Sequence, residues 1–381
     1  MTSAAIEVHG HIDPRFEKVR EAFLANFAAG GEIGASFCAT IDGETVVDIW
    51  GGHADAAATK PWERDTIVNV YSTTKTMTAL TALLLADRGE LDFAAPVARY
   101  WPEFAAAGKA DVTVAMLMAH TAGLSGFKES ITGEDLYDWE KITGLLAAQA
   151  PYWEPGTAPG YHAITQGYLV GEVVRRITGH SLGTVFRTEI AEPLGADFHI
   201  GLDAAHDDRV AELTPPPKGG GIADVSDRPL TANMATNPPT NPRVTATRGW
   251  RGAEIPAANG QGNARSVAAV QTLVANGGVA NGKRILSEAG VRRVLESQIK
   301  GDDLVLAMPV HYGLGYGLQG GSVPLPNDES AFWGGYGGSL VLVDLQARSC
   351  FAYAMNKMAP TTTGDPRAFM LAMAMWQSMA A

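Results

Sequence analysis

The stretch Thr66-Ile67-Val68-Asn69-Val70-Tyr71-Ser72-Thr73-Thr74-Lys75-Thr76-Met77 decides how this chain folds. Its first half is β-rich. Residues 72–88 have the length and apolar content of a helix, with Gly89 where that helix should stop. Ser72 and Lys75 stand at i and i+3, on one face of the helix N-terminus. A lysine amine placed there, desolvated and in positive potential, gives up its proton readily and can act as base on the serine hydroxyl. A capping serine beside a solvated lysine has the same spacing. The rest of the chain must choose.

Upstream, residues 13–29 read as an amphipathic helix. Residues 34–41 and 44–50 read as β-runs joined at Asp42-Gly43, a strong two-residue hairpin signal. Near the C-terminus, 339–345 and 350–355 form a second apolar pair around a polar turn at 346–349, and 366–380 reads as a closing helix. Neither hairpin is stable alone in water. The economical arrangement is one antiparallel sheet built from both chain ends, with the terminal helices packed on it. Between the ends, residues 112–118, 142–149, 164–177 and 182–194 have helical length or spacing, with Gly123, Gly179 and Gly195 at their stops. Residues 214–243 differ, with seven prolines and three consecutive glycines. They read as the wall of a pocket or as an irregular surface excursion.

The chain has 381 residues, which at roughly 150 per domain suggests two domains. It is 46% hydrophobic, 18% charged and carries a net charge of −12. That balance repels phosphate backbones and anionic lipid, which argues against nucleic-acid and membrane partners. Cys38 and Cys350 lie in apolar, strand-like stretches and read as buried free thiols rather than a disulfide framework. The N-terminus lacks a basic segment followed by an apolar one, and the longest apolar runs, 77–86 and 369–376, are too short to span a bilayer. The expectation is a cytoplasmic protein.

Three places match Ser-x-x-Lys: Ser72/Lys75, Ser125/Lys128 and Ser297/Lys300. Only Ser72 opens a helix after a β-rich run. Ser125 lies among glycines in a loop, and Ser297 sits at the polar end of residues 291–300, the wrong end of a helix. Gly179-His180-Ser181-Leu182-Gly183 matches the nucleophile elbow, which requires a buried strand before it. The preceding spacing is helical, so Gly179 reads as a C-cap and Ser181 as the next N-cap. Residues 154–160, Glu-Pro-Gly-Thr-Ala-Pro-Gly, form a rigid turn that presents Tyr161 before a helix; its phenol could share proton transfer with the Ser–Lys pair, or simply pack. Trp333-Gly334-Gly335-Tyr336-Gly337-Gly338-Ser339 leads into an apolar strand. Its glycines allow close backbone approach and free amide N–H groups for an oxyanion, unless this is a plain glycine-rich loop. The nine histidines form no metal-binding motif. His9/His11 and His206 within 203–208 read as surface features. No cofactor fingerprint is present.

Together these pieces resemble the serine β-lactamase and penicillin-recognising fold, in particular class C β-lactamases and family VIII carboxylesterases. The resemblance is carried by Ser72-Thr73-Thr74-Lys75, His120-Thr121-Ala122-Gly123-Leu124, Glu154-Pro155-Gly156 before Tyr161-His162-Ala163, Gly171 to Gly179 running into Pro193-Leu194-Gly195, and Trp333-Gly334-Gly335. It implies an α/β (α+β) fold in which residues 72–263 form a mainly helical domain inserted into a sheet domain of 1–71 and 264–381, with the site between them. By resemblance, Ser72 is the nucleophile, and Lys75 and Tyr161 are the general base and acid. The N–H groups of Ser72 and Tyr336 form the oxyanion hole, and Trp333, Gly334 and Gly335 contribute to substrate binding. Two departures matter. Ala163 stands where these β-lactamases have Asn, and Trp333-Gly334-Gly335 where they have Lys-Thr-Gly. Losing the lysine's charge-assisted hydrogen bond costs roughly 1.5–3 kcal/mol. The expectation is therefore a cofactor-free, metal-free serine carboxylesterase acting on short-chain esters, with β-lactams as possible secondary substrates. The alternatives are a penicillin-binding protein with slow deacylation and an idle binding module, which the intact Ser72, Lys75 and Tyr161 disfavour. Oligomeric state is not legible.

Overall fold

Asp42 and Gly43 take φ of 51° and 84°, the left-handed pair a tight hairpin requires, and join strands Gly34–Ile41 and Glu44–Gly52. The structure is a computed structural model and describes residues 6–216, 227–239, 241–362 and 364–380. Ser349–Met355, from the other end of the chain, lies antiparallel to Gly34–Ile41 in register from Ile41↔Ser349 to Ala35↔Met355. Nine strands run in the order Val8–Ile12, Glu44–Gly52, Gly34–Ile41, Ser349–Met355, Leu340–Asp344, Ser330–Gly334, Gly317–Leu318, Pro309–Tyr312, Ile299–Asp302. Both chain ends thus build one antiparallel sheet, as the hairpin argument expects.

The two sheet faces differ in side-chain size because alternate residues point to opposite sides. Ser36, Cys38, Thr40, Cys350 and Ala352 make a face of small residues under the helix Ala264–Ala275. Ser36 Oγ accepts the Ala264 N–H at 3.1 Å, and the Thr40 and Thr272 hydroxyls meet at 2.7 Å. Phe37, Phe351 and Tyr353 point the other way, towards the terminal helices Glu17–Ala28 and Pro366–Met379; Phe351 packs on Trp376. Both cysteines are buried and free. Among the described residues no helix is long and apolar enough to cross a membrane.

The helix Thr74–Asp87 is buried from Thr74 through Leu85. It tolerates this because its hydroxyls are satisfied: Thr76 bonds Thr73 O, Thr81 bonds Met77 O and Thr78 bonds Pro256 O. The short strands Val68–Asn69 and Gln261–Gly262 pair antiparallel, so the chain enters and leaves the helical region side by side.

Three local expectations need correction. The helix expected over 291–300 ends by Leu295, and Lys300 lies in the edge strand Ile299–Asp302, where pairing with Pro309–Tyr312 overrides local propensity. The glycine loop leads into the strand Leu340–Asp344 as expected, and because Trp333 and Gly334 end the strand Ser330–Gly334 the loop is a hairpin between the two. Residues 214–243 are not irregular throughout, since Pro229–Thr236 is a helix with proline in its first turn. The three consecutive glycines, 219–221, lie outside the described residues. Finally, Leu182–Leu194 is broken by a π-helical turn at Arg187–Ala191.

Candidate active site

Tyr71 adopts φ of 44°, a left-handed value uncommon for a non-glycine residue. It sets Ser72 into a single 3₁₀ turn, Tyr71–Thr73, ahead of the long helix. The preceding Val70 is pinned on both sides, its N–H on Gly260 O at 3.0 Å and its carbonyl accepting Ser339 Oγ at 2.7 Å. Ser72 Oγ lies 3.1 Å from Lys75 Nζ and accepts the Tyr161 hydroxyl at 2.6 Å.

Lys75 is fully buried, and among the described residues no carboxylate pairs with it. Its Nζ donates to Ala163 O at 2.7 Å and Ala257 O at 2.9 Å. A neutral amine has two N–H groups and one lone pair. With both N–H groups on carbonyls, the lone pair faces Ser72 Oγ. Burial favours that neutral form, holding the amine well below its ordinary value. Gly167 makes the bracket possible, since a Cβ there would come within 2.3 Å of Ala257 N.

Tyr161 is presented by two segments running together. Gly156 N–H bonds Thr121 O, Gly160 N–H bonds His120 O and Tyr152 N–H bonds Gly123 O, at 2.7–2.9 Å. His162 locks them, its Nδ1 donating to Gly160 O at 2.6 Å while Nε2 accepts the Leu124 N–H at 2.9 Å. Burial pushes His162 down to about 3, so the ring is neutral. Burial raises the Tyr161 phenol above its ordinary value, against the opposing pull of Ser72 and the Trp333 indole. Burial thus favours the protonated phenol and the neutral amine side by side.

Ser72, Tyr161 and Tyr336 line a cavity of about 300 Å³ together with Tyr71, Ile164 and Met234. Among the described residues, no charged side chain lines it. Met234 and Ala235 come from the helix Pro229–Thr236, so part of the proline-rich stretch walls the cavity. Around Tyr336 the neighbouring amides are committed: Gly335 N–H to Ser339 O, Gly337 N–H to Thr361 O and Gly338 N–H to Gly335 O. Trp333 is buried behind Tyr161 rather than on the cavity wall, packed against His120, Tyr161 and Tyr312 with ring centroids 5.4–6.1 Å apart. Gly334 shares that position, and Gly335 presses on Val70, where a Cβ would lie 2.2 Å from Val70 O.

The other serines are elsewhere. Ser181 caps Leu182–Phe186 and donates to Glu254 Oε1 at 2.6 Å, and Gly179 ends the preceding helix at φ 75°. Ser125 is buried, while Lys128 reaches out to Pro151 O. Ser297 Oγ meets His311 Nε2 at 2.7 Å by the edge strand. Sequence reasoning missed the Ala257 carbonyl and Asp303, whose carboxylate accepts the Tyr161 N–H. Neither had a local signal.

A Ser-x-x-Lys at a buried helix start, a tyrosine on the serine oxygen and a flanking antiparallel sheet define the serine β-lactamase class of fold. The chain belongs to the β-lactamase family, whose model, described as Beta-lactamase, matches residues 19–372. It is similar to Esterase/beta-lactamase LipL of Mycobacterium tuberculosis, 36% identical over 379 residues that span 96% of this chain and 87% of that one. A crystal structure of a family VIII carboxylesterase matches with a TM-score of 0.92 at 45% identity, covering 98% of this chain and 100% of that one. A penicillin-binding protein homolog from Caulobacter crescentus matches with a TM-score of 0.92 at 38% identity and the same coverage. The fold expected from the motifs is the one these structures share.

Proposed function

We propose that the chain is a serine carboxylesterase hydrolysing small, uncharged esters through an acyl-Ser72 intermediate. The observation that carries this is Ser72 Oγ, held between a buried Lys75 amine and the Tyr161 hydroxyl beside an uncharged cavity. Ser72 Oγ attacks the ester carbonyl as its proton passes to Lys75 Nζ. The carbonyl oxygen, now an oxyanion, sits on the N–H groups of Ser72 and Tyr336. Tyr161 protonates the departing alkoxide and recovers a proton from Lys75. Water then attacks the acyl-serine with the same groups in reverse roles, releasing the acid.

The described lining residues carry no charge, which favours esters over β-lactams, since none of them is a cation to meet a β-lactam carboxylate. Penicillin binding with slow deacylation is the second reading, favoured by the similarity to the Caulobacter homolog. In the same proposal, residues 72–263 form the inserted helical domain and 1–71 with 264–381 the sheet domain. A cytoplasmic location is supported by the two buried free thiols. The test is mass spectrometry after exposure to an aryl phosphonate ester. The label is expected on Ser72; a label on Ser181 or Ser297 with Ser72 untouched would overturn the assignment.

A further inference from the structure

We infer that Arg367 is a positioning residue for ester hydrolysis, clamping the Gly335–Ser339 loop so that the Tyr336 N–H stays aimed at the developing oxyanion. This rests on the reading of that N–H as an oxyanion donor. The loop and its approach contain Gly334, Gly335, Gly337 and Gly338. Glycine backbone has so much conformational freedom that such a loop cannot hold an amide still unaided. Side chains on both edges hold it.

On the serine side, Ser339 Oγ bonds Val70 O at 2.7 Å and meets Thr73 Oγ1 at 2.9 Å, which ties the loop to the Ser72 turn. On the far side stands Arg367, in the first turn of the C-terminal helix Pro366–Met379. Its Nη2 donates to Gly337 O at 3.0 Å, and its Nη1 to Lys357 O and Gly31 O, both at 2.8 Å. One guanidinium thus joins the loop, the segment after the last strand and the end of the N-terminal helix region. Only a planar fork with several donors makes such a set of contacts.

The fork is itself fixed. Asp365 Oδ2 accepts from Nη2 at 2.5 Å and Glu32 Oε2 from Nη1 at 3.0 Å, with both carboxylates buried. Glu32 also accepts the Tyr353 hydroxyl. Gly338 lets this group press on the loop, since a Cβ there would lie 2.2 Å from Asp365 Oδ2 and 2.8 Å from Arg367 Nη2. The Ala359 N–H bonds the same Gly337 carbonyl at 2.8 Å, so the arginine reinforces a contact the backbone already makes. None of these groups touches the reacting atoms; the effect runs through the Gly337 peptide.

The experiment compares an aryl ester with its thionoester, because sulfur accepts hydrogen bonds poorly and the rate ratio reports the oxyanion hole. The native protein is expected to prefer the oxoester by on the order of 10-fold or more, since a single oxyanion donor is worth about 10²–10³ in kcat. Arg367→Lys keeps the charge and loses the fork. It should lower oxoester kcat and shrink the ratio at least about threefold, with KM little changed. Should Arg367→Lys fail to fold, Asp365→Asn, which keeps the helix-cap acceptor, must shrink the ratio in the same direction. Equal losses on both substrates, with the ratio intact, would make Arg367 merely structural and overturn the clamp alone. A ratio near one in the native protein would overturn the oxyanion reading, and the clamp with it.

Discussion

The carboxylate of Asp303 holds the backbone of Tyr161 from the edge of the sheet, its Oδ1 accepting the Tyr161 N–H at 3.1 Å. The same oxygen accepts the Val305 and Leu306 N–H groups at 2.9 and 2.8 Å, and Oδ2 accepts the Tyr312 hydroxyl at 3.1 Å. Asp303 is buried, and these four partners are all donors. An acceptor-only carboxylate is therefore what the position requires.

Asp303→Asn turns an NH₂ group towards at least one of those donors. We expect a loss of about 1.5–3 kcal/mol in urea unfolding, the range for hydrogen bonds to a charged group, together with reduced kcat as Tyr161 loosens. Unchanged stability would show that the Tyr161 segment stands without this tie.

Removal of the proton-transfer groups tests the mechanism directly. Lys75→Ala and Tyr161→Phe should each lower kcat on a p-nitrophenyl ester by about two decades or more, the scale of general acid–base losses. KM should move less, because these groups act on proton transfer rather than on holding substrate. Near-normal turnover in Tyr161→Phe would reduce that residue to packing.

The pH profile follows from Lys75. In the proposed mechanism it works as the neutral amine, and burial holds it well below 10.5. As pH rises the amine loses its proton, so kcat/KM should climb on the acid side and level off well below that value. Lys75→Arg should be inactive across the whole range, because a guanidinium does not deprotonate in proteins. A limb centred near 10.5 in the native protein would mean the amine is solvated and charged.

Substrate choice should follow the uncharged cavity. We expect acetyl to butyryl esters to be hydrolysed at least ~10²-fold more efficiently than a chromogenic cephalosporin, about 2.7 kcal/mol in transition-state terms. Trp333→Lys should not narrow the gap. The indole packs on His120, Tyr161 and Tyr312 behind the cavity, so the substitution buries an ammonium and costs stability instead. Comparable efficiencies on both substrates in the native protein would return it to the β-lactamase reading.

Much of this was legible where local chemistry repeats in space. Asp42-Gly43 announced its hairpin because φ > 0 suits few residue pairs, and the Ser72/Lys75 spacing is a helix repeat that survives any packing. The edge strand Ile299–Asp302 and the helix Ala264–Ala275 were not singled out. The first is stabilised by a partner strand rather than by its own pattern. The second has apolar spacing at Val267, Val270, Leu273 and Val274, but its polar Ser266, Gln271 and Thr272 are buried too and mark no solvent face.

The division falls along sequence distance. The amino-acid order by itself determined the candidate serine and its i+3 lysine, the rigid turn before Tyr161 and the pairing of the two chain ends, because each rests on neighbours within a few residues or on hydrophobic surface that must be covered. Only the tertiary structure decided that Lys75 would meet the Ala163 and Ala257 carbonyls, that Trp333 would pack behind Tyr161, and that Asp303 and Arg367 would hold the backbone around the serine. Those contacts join residues far apart in the chain. Their energy comes from burial and hydrogen-bond geometry that exist only after the sheet and the helices have closed on one another.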